Sequence, residues 1–133
     1  MQGLNAEIAQ LEQKGKVVYL VQDNNSFRFD PMGHMLTRLI APRRALARLL
    51  APSTISWPDG VAPPTGSLEE AEARRLVALV GRAHPEVQVI DLEEKLCSAA
   101  GCRFALGNQT LFADFHHLSL LGAQIALSGL KLP

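Results

Sequence analysis

Val17-Val18-Tyr19-Leu20-Val21 is the stretch on which the fold turns. It is short, rich in β-branched residues and free of polar interruption, the pattern of a strand buried on both faces in a parallel sheet. Polar residues follow at once, Gln22-Asp23-Asn24-Asn25-Ser26. A polar loop at the carboxyl end of a buried strand is where α/β folds place ligands. On the amino-terminal side, Leu4, Ile8 and Leu11 recur at helical spacing. Leu4 to Gln13 is therefore expected to be a helix that ends at Lys14-Gly15-Lys16.

On the carboxyl side, Met32 to Leu50 has a helical pattern interrupted at Pro42, where a helix stops or restarts. Ala51 to Gly66 holds four prolines and two glycines and reads as a long surface loop, with Trp57 in its middle. Ser67-Leu68-Glu69-Glu70 fits a capping box, and Ala73, Leu76, Val77 and Val80 form the apolar stripe of the helix it opens. His84-Pro85 ends that helix. Val87, Val89 and Ile90 make a second strand ending at Asp91, and Leu92 to Leu96 a short helical turn. Thr110-Leu111-Phe112 reads as a third, weaker strand and Leu118 to Leu130 as a closing helix with Ser119 as N-cap. Gly122 and Ala123 are small enough to let that helix approach a sheet closely. Helix and strand in alternation predict an α/β fold with a parallel sheet.

Composition narrows the function classes. Lys plus Arg and Asp plus Glu are equal at 13 each, so net charge makes no case for a nucleic acid partner. Aromatic residues are only 5% of the chain, which leaves Leu, Val and Ala to supply most of the core. No apolar run reaches the roughly 20 residues that span a bilayer. Met1 to Gln13 lacks the basic-then-apolar order of an export signal, so the chain as given is expected to carry none.

The chemistry is concentrated in Asp114-x-x-His117-Leu118-Ser119-x-x-Gly122-Ala123. An Asp three residues before a His, in a loop entering a helix, can bring both side chains to one site. The His can then act as general base while the Asp accepts its other ring proton and fixes the tautomer. The bland alternative is a solvated Asp beside a half-buried His. Cys97 and Cys102 flank a Ser-Ala-Ala-Gly turn and can be a disulfide, free thiols or zinc ligands. Zinc fits poorly, because His116 and His117 are adjacent rather than three to five apart. His116 is expected to face solvent, and His34 and His84 to be surface or capping residues. Arg38, Arg43, Arg44 and Arg48 read as a solvated helix face covering the core, with a membrane surface or an anionic glycan as alternatives.

The order of these pieces resembles the end of the SGNH (GDSL-like) hydrolase domains fused to bacterial membrane acyltransferases that O-acetylate cell-surface polysaccharides. The resemblance rests on Val89-Ile90-Asp91, Leu96-Cys97 through Cys102, Leu111-Phe112-Ala113-Asp114 and His117-Leu118-Ser119. Gly15 to Val21 with Phe29-Asp30-Pro31 extends it towards the amino terminus. It implies His117 as catalytic base, Asp114 as the acid that orients it, and Cys97–Cys102 as a disulfide outside the cytoplasmic membrane. It implies no cofactor and no metal. The partners it implies are an acylated glycan substrate and a membrane acyltransferase domain in the parent protein.

The chain also departs from that family. No Gly-Asp-Ser occurs, so no nucleophile serine is identified. No oxyanion-hole glycine has a match. Asn24 and Asn25 follow a strand, but one strand too late for the family's Asn block. The isolated chain is therefore expected to be inactive. Three strands are fewer than such a sheet needs. The expectation is the C-terminal portion of one SGNH-type, flavodoxin-like three-layer α/β/α domain over residues 1–133. Its N-terminal strands would be missing, and an unpaired edge at Val17 to Val21 or Val87 to Ile90 would favour self-association. A non-catalytic α/β module that binds a glycan or a protein is the alternative.

Overall fold

The computed structural model describes residues 2–50 and 59–130. Trp57 and most of the proline-rich segment before it lie outside the described residues. The chain divides into two compact units, one of residues 1–23 and 66–92, the other of residues 24–65 and 93–133.

The first unit holds helix α1 (Gln2–Gln13), strand β1 (Tyr19–Gln22), a helix at Leu68–Ala83 and a strand at Gln88–Asp91. In chain order the last two are α4 and β3. Gly15 ends α1 with a positive φ of 67°, which a glycine adopts without steric cost. The Lys16 amide reaches back to the Leu11 carbonyl at 3.0 Å, the six-to-one bond of a Schellman cap. At α4 the expected capping box is present: Ser67 Oγ accepts from the Glu70 amide at 3.0 Å, and the Ser67 amide donates to Glu70 Oε2 at 3.1 Å. His84 is the C-cap of α4, and its Nδ1 lies 3.0 Å from Glu12 Oε2 of α1.

β1 and β3 pair in parallel, with Leu20 opposite Val89 and Val21 opposite Ile90. The expected parallel pairing is present, but the expected double-sided burial is not. Val17 is 57% exposed and Val21 53%, because a two-stranded sheet has one packed face. The core of this unit is Ile8, Val80 and Val87, with Val18 and Leu20 packed against it. The apolar stripes of α1 and α4 are thus buried at one position each, Ile8 and Val80.

The second unit carries the remaining elements: α2 (Pro31–Leu39), α3 (Ala41–Leu50), β2 (Val61–Ala62), β4 (Cys97–Ser98), β5 (Gly101–Arg103), β6 (Ala105–Leu106), β7 (Gln109–Thr110) and α5 (Leu120–Ala126). Asp30 caps α2 by accepting from the Met32 amide, and Pro31 takes the first helical position. The helical stretch breaks at Ile40 rather than at Pro42. Ile40 is extended, and Pro42 lies in the first turn of the new helix, where its missing N–H costs nothing.

Three expectations fail here. Residues 61–62, expected in a loop, form the edge strand β2 of an antiparallel sheet ordered β2-β5-β4. Thr110 to Phe112 is not a third parallel strand. Gln109 and Thr110 close a hairpin with β6, and Phe112 makes a bridge to Leu118. The parallel sheet therefore has two strands, and the other pairings are antiparallel. The closing helix is also shorter than expected, ending at Ala126.

The aromatic residues, few as they are, build this unit's core. Four of the five phenylalanines, Phe27, Phe29, Phe104 and Phe112, gather in one cluster. Phe104 is fully buried and meets the rings of Phe27, Phe29 and His34 edge-on at 5.9, 5.1 and 5.2 Å. His34 is accordingly no surface residue; it is buried, 6% exposed. Burial holds its pKa below the ordinary 6.5, and the Arg38 charge lowers it further. The unfolded chain takes up a proton as pH falls below 6.5, while folded His34 resists it. Stability is then lost as pH falls through and below 6.5. The slope of unfolding free energy against pH in that window, from urea titrations, is expected to flatten in His34→Phe. An equal slope in both proteins would mean that His34 titrates freely in the fold.

Candidate functional site

The loop between β7 and α5 is built by its own side chains. Thr110 Oγ1 donates to the Phe112 carbonyl at 2.6 Å, and the Ser119 amide donates to the Leu111 carbonyl at 2.9 Å. Ser119 caps α5 by accepting from the Gly122 amide at 3.1 Å, and its hydroxyl proton goes to the Thr110 carbonyl at 2.8 Å. Inside this frame the Ala113 amide donates to the His117 carbonyl at 2.8 Å, closing a tight loop over residues 113–117.

Asp114 organises that loop. Its Oδ1 accepts from the amides of His116 at 2.8 Å and His117 at 2.7 Å. Its Oδ2 lies 2.8 Å from His117 Nδ1. The His117 amide, then the His116 amide, then the His117 side chain lower the Asp114 pKa from 3.8 to about 2. An ionised carboxylate only accepts, so His117 Nδ1 carries the proton and donates it. When the ring is neutral, this tautomer leaves the lone pair on Nε2. The His117 side chain is 73% exposed, and among the described residues its Nε2 has no hydrogen-bond partner. In this geometry His117 can act as a general base oriented by Asp114 and open to an incoming group.

Three of the described serines use their hydroxyls in local structure. The hydroxyls of Ser67 and Ser119 are committed to helix caps. Ser98 bonds within its own turn, donating to the Gly101 carbonyl and accepting from the Ala100 amide.

Two further features lie in the same unit as the loop. Cys97 and Cys102 stand opposite each other in the β4–β5 hairpin, with Cα atoms 3.9 Å apart, and form a disulfide. Both sulfurs are thereby withdrawn from metal binding. The second feature escaped sequence reasoning. Asn24, 8% exposed, donates its side-chain amide to the carbonyls of His116 and Asn25. The Phe27 amide donates to the Phe115 carbonyl at 2.8 Å. Residues 24–27 therefore brace the base loop from a distant part of the chain. Asn25 is buried beside the disulfide, its Oδ1 3.5 Å from Cys97 Sγ. The polar run after β1 is expected to form a ligand loop, with Asn24 and Asn25 set one strand too late for the family's Asn block; nothing local showed what they would hold. His116, expected to face solvent, is half-buried; its amide donates to Asp114 Oδ1 and its carbonyl accepts from the Asn24 side chain.

Comparison with curated proteins and with solved structures returned no match. The family comparison did: residues 1–128 match the SGNH domain (fused to AT3 domains). With an Asp-x-x-His loop before its last helix and nearly the whole chain matched, this protein belongs to the family of SGNH domains fused to AT3 domains.

Proposed function

We propose that this chain supplies the acid–base half of a serine-dependent O-acyltransferase or esterase site. The observation that carries it is the 2.8 Å contact between His117 Nδ1 and Asp114 Oδ2, which leaves Nε2 free and exposed. His117 takes the proton of a serine hydroxyl as the serine attacks an acyl carbonyl, and returns it to the leaving oxygen. Asp114 holds the ring and stabilises the cation formed in between. No Gly-Asp-Ser occurs in these 133 residues, so the serine and the oxyanion donors come from outside them.

The substrate is an acyl ester, most simply acetyl, of a cell-envelope polysaccharide, and the site works outside the cytoplasmic membrane. The Cys97–Cys102 disulfide supports an oxidising compartment. No described helix is long and apolar enough to cross a membrane, so these residues contribute no described span themselves. The parallel β1–β3 pair supports a three-layer α/β/α domain whose other strands also lie outside this chain. In their absence the open edges of that pair favour self-association.

The test is a fluorophosphonate, which labels only an activated serine, read by intact mass. The chain alone is expected to show no shift. A protein that also carries the Gly-Asp-Ser block is expected to gain one probe mass, lost in His117→Ala. A shift on the isolated chain would overturn the division of the site proposed here.

A further inference from the structure

We infer that the face formed by α3, with the end of α2, docks onto an anionic phospholipid surface. The charge of the chain is balanced as a whole but not locally. Residues 31–50 contain Arg38, Arg43, Arg44 and Arg48 and no acidic residue. The expected role of these helices as a cover for the core holds for α2, which buries Pro31, His34 and Met35. It fails for α3, in which no residue is buried.

What α3 exposes is ordered by side. At about 100° per residue, Pro42, Leu46, Leu49 and Leu50 fall within one arc of roughly a quarter to a third of the helix. Leu46, Leu49 and Leu50 are 56%, 79% and 71% exposed. Arg44 and Arg48 project from the other side, and Arg43 lies at the rim. Arg44 also donates to the Arg38 carbonyl at the end of α2, at 3.2 Å. Among the described residues, no carboxylate forms an ion pair with Arg43 or Arg48. Leu36, Leu39 and Ile40 add exposed apolar surface beside them.

A leucine face with one arginine at its rim and two on the opposite, polar side matches a helix lying in a bilayer interface, with apolar side chains towards the acyl chains and the guanidinium groups at headgroup level. A nucleic acid would use the arginines and leave the leucines in water; the stretch has no exposed aromatic ring to stack on bases. A second copy of the chain, packed leucine face to leucine face, would leave the arginines unanswered, because residues 31–50 offer no carboxylate in return.

Sedimentation with vesicles tests this. The chain is expected to pellet with vesicles of phosphatidylglycerol and phosphatidylcholine and to stay in solution with phosphatidylcholine alone. Arg43→Gln/Arg48→Gln is expected to bind about thirty-fold more weakly, from roughly five-fold for each charge removed near the surface. Leu49→Glu is expected to abolish binding. Both changes lie on an exposed helix, so circular dichroism should show the fold unchanged. Absence of binding to the anionic vesicles would overturn the inference, as would equal binding by both variants. A dimer dissolved by Leu49→Glu, in a protein that ignores lipid, would also overturn it and assign the face to a second copy.

Discussion

Gly122→Ala is expected to destabilise the second unit by about 3 kcal/mol or more, the upper end of what overpacking a core costs. The new methyl carbon would fall 2.9 Å from the Leu111 carbonyl carbon and 3.2 Å from its Cα, and closer still to the carbonyl oxygen. None of these atoms belongs to a flexible side chain. Leu111 is fully buried, and its carbonyl is already held by the Ser119 amide at 2.9 Å. The only relief is to move α5 away from residues 110–112. That movement breaks the Ser119 cap and the bond from its hydroxyl to the Thr110 carbonyl. Urea denaturation should show a lower midpoint with an unchanged slope. A midpoint equal to wild type would mean that α5 is not packed on this backbone.

Asp114→Asn is expected to abolish catalysis while leaving the protein folded. The asparagine oxygen can still accept from the amides of His116 and His117, so the loop keeps its path. The asparagine nitrogen, however, would donate towards His117 Nδ1. That contact favours the tautomer with its proton on Nε2, which has no lone pair to take a serine proton. In a protein that also carries a Gly-Asp-Ser block, acyl transfer should fall about ten-thousand-fold. Nitrogen-15 shifts of His117 should report the exchanged tautomer directly. Full transfer activity in this variant would reduce Asp114 to a loop cap and sink the catalytic reading of the pair.

The acid side of the profile has a definite sign. The folded pKa of Asp114, about 2, lies below its ordinary 3.8. Its contribution to stability is therefore present above about pH 4 and lost as pH falls towards 2. Asp114→Asn should lack that acid loss.

The sequence was most legible where bonds are local. The Ser67 capping box, the Cys97–Cys102 hairpin and the Asp114–His117 loop each close within a few residues, and each was readable as a spacing. β2 was not, because a two-residue strand in a proline-rich stretch has no period to detect. It exists because β5, some forty residues away, pairs with it. The Phe27–Phe104–Phe112 cluster was missed for the same reason: its members are far apart in the chain, and composition understated them. In the opposite direction, Val17 to Val21 has the content of a doubly covered strand, yet in this chain it meets one neighbour. The role of Asn24 depends on a contact across ninety-two positions, which no local pattern contains.

The range of those contacts has a kinetic meaning for the base loop. The bonds from Asp114 to His116 and His117, and from Ala113 to His117, all span four residues or fewer. Closing so short a segment has a small entropic cost and is fast. The pair can form its internal geometry before the distant chain arrives. The brace from Asn24 closes a span of ninety-two positions, at a larger entropic cost, and acts on the loop from outside it. Loosening it would swing His117 relative to a substrate without changing its distance from Asp114, so the aim of the base is separable from its assembly.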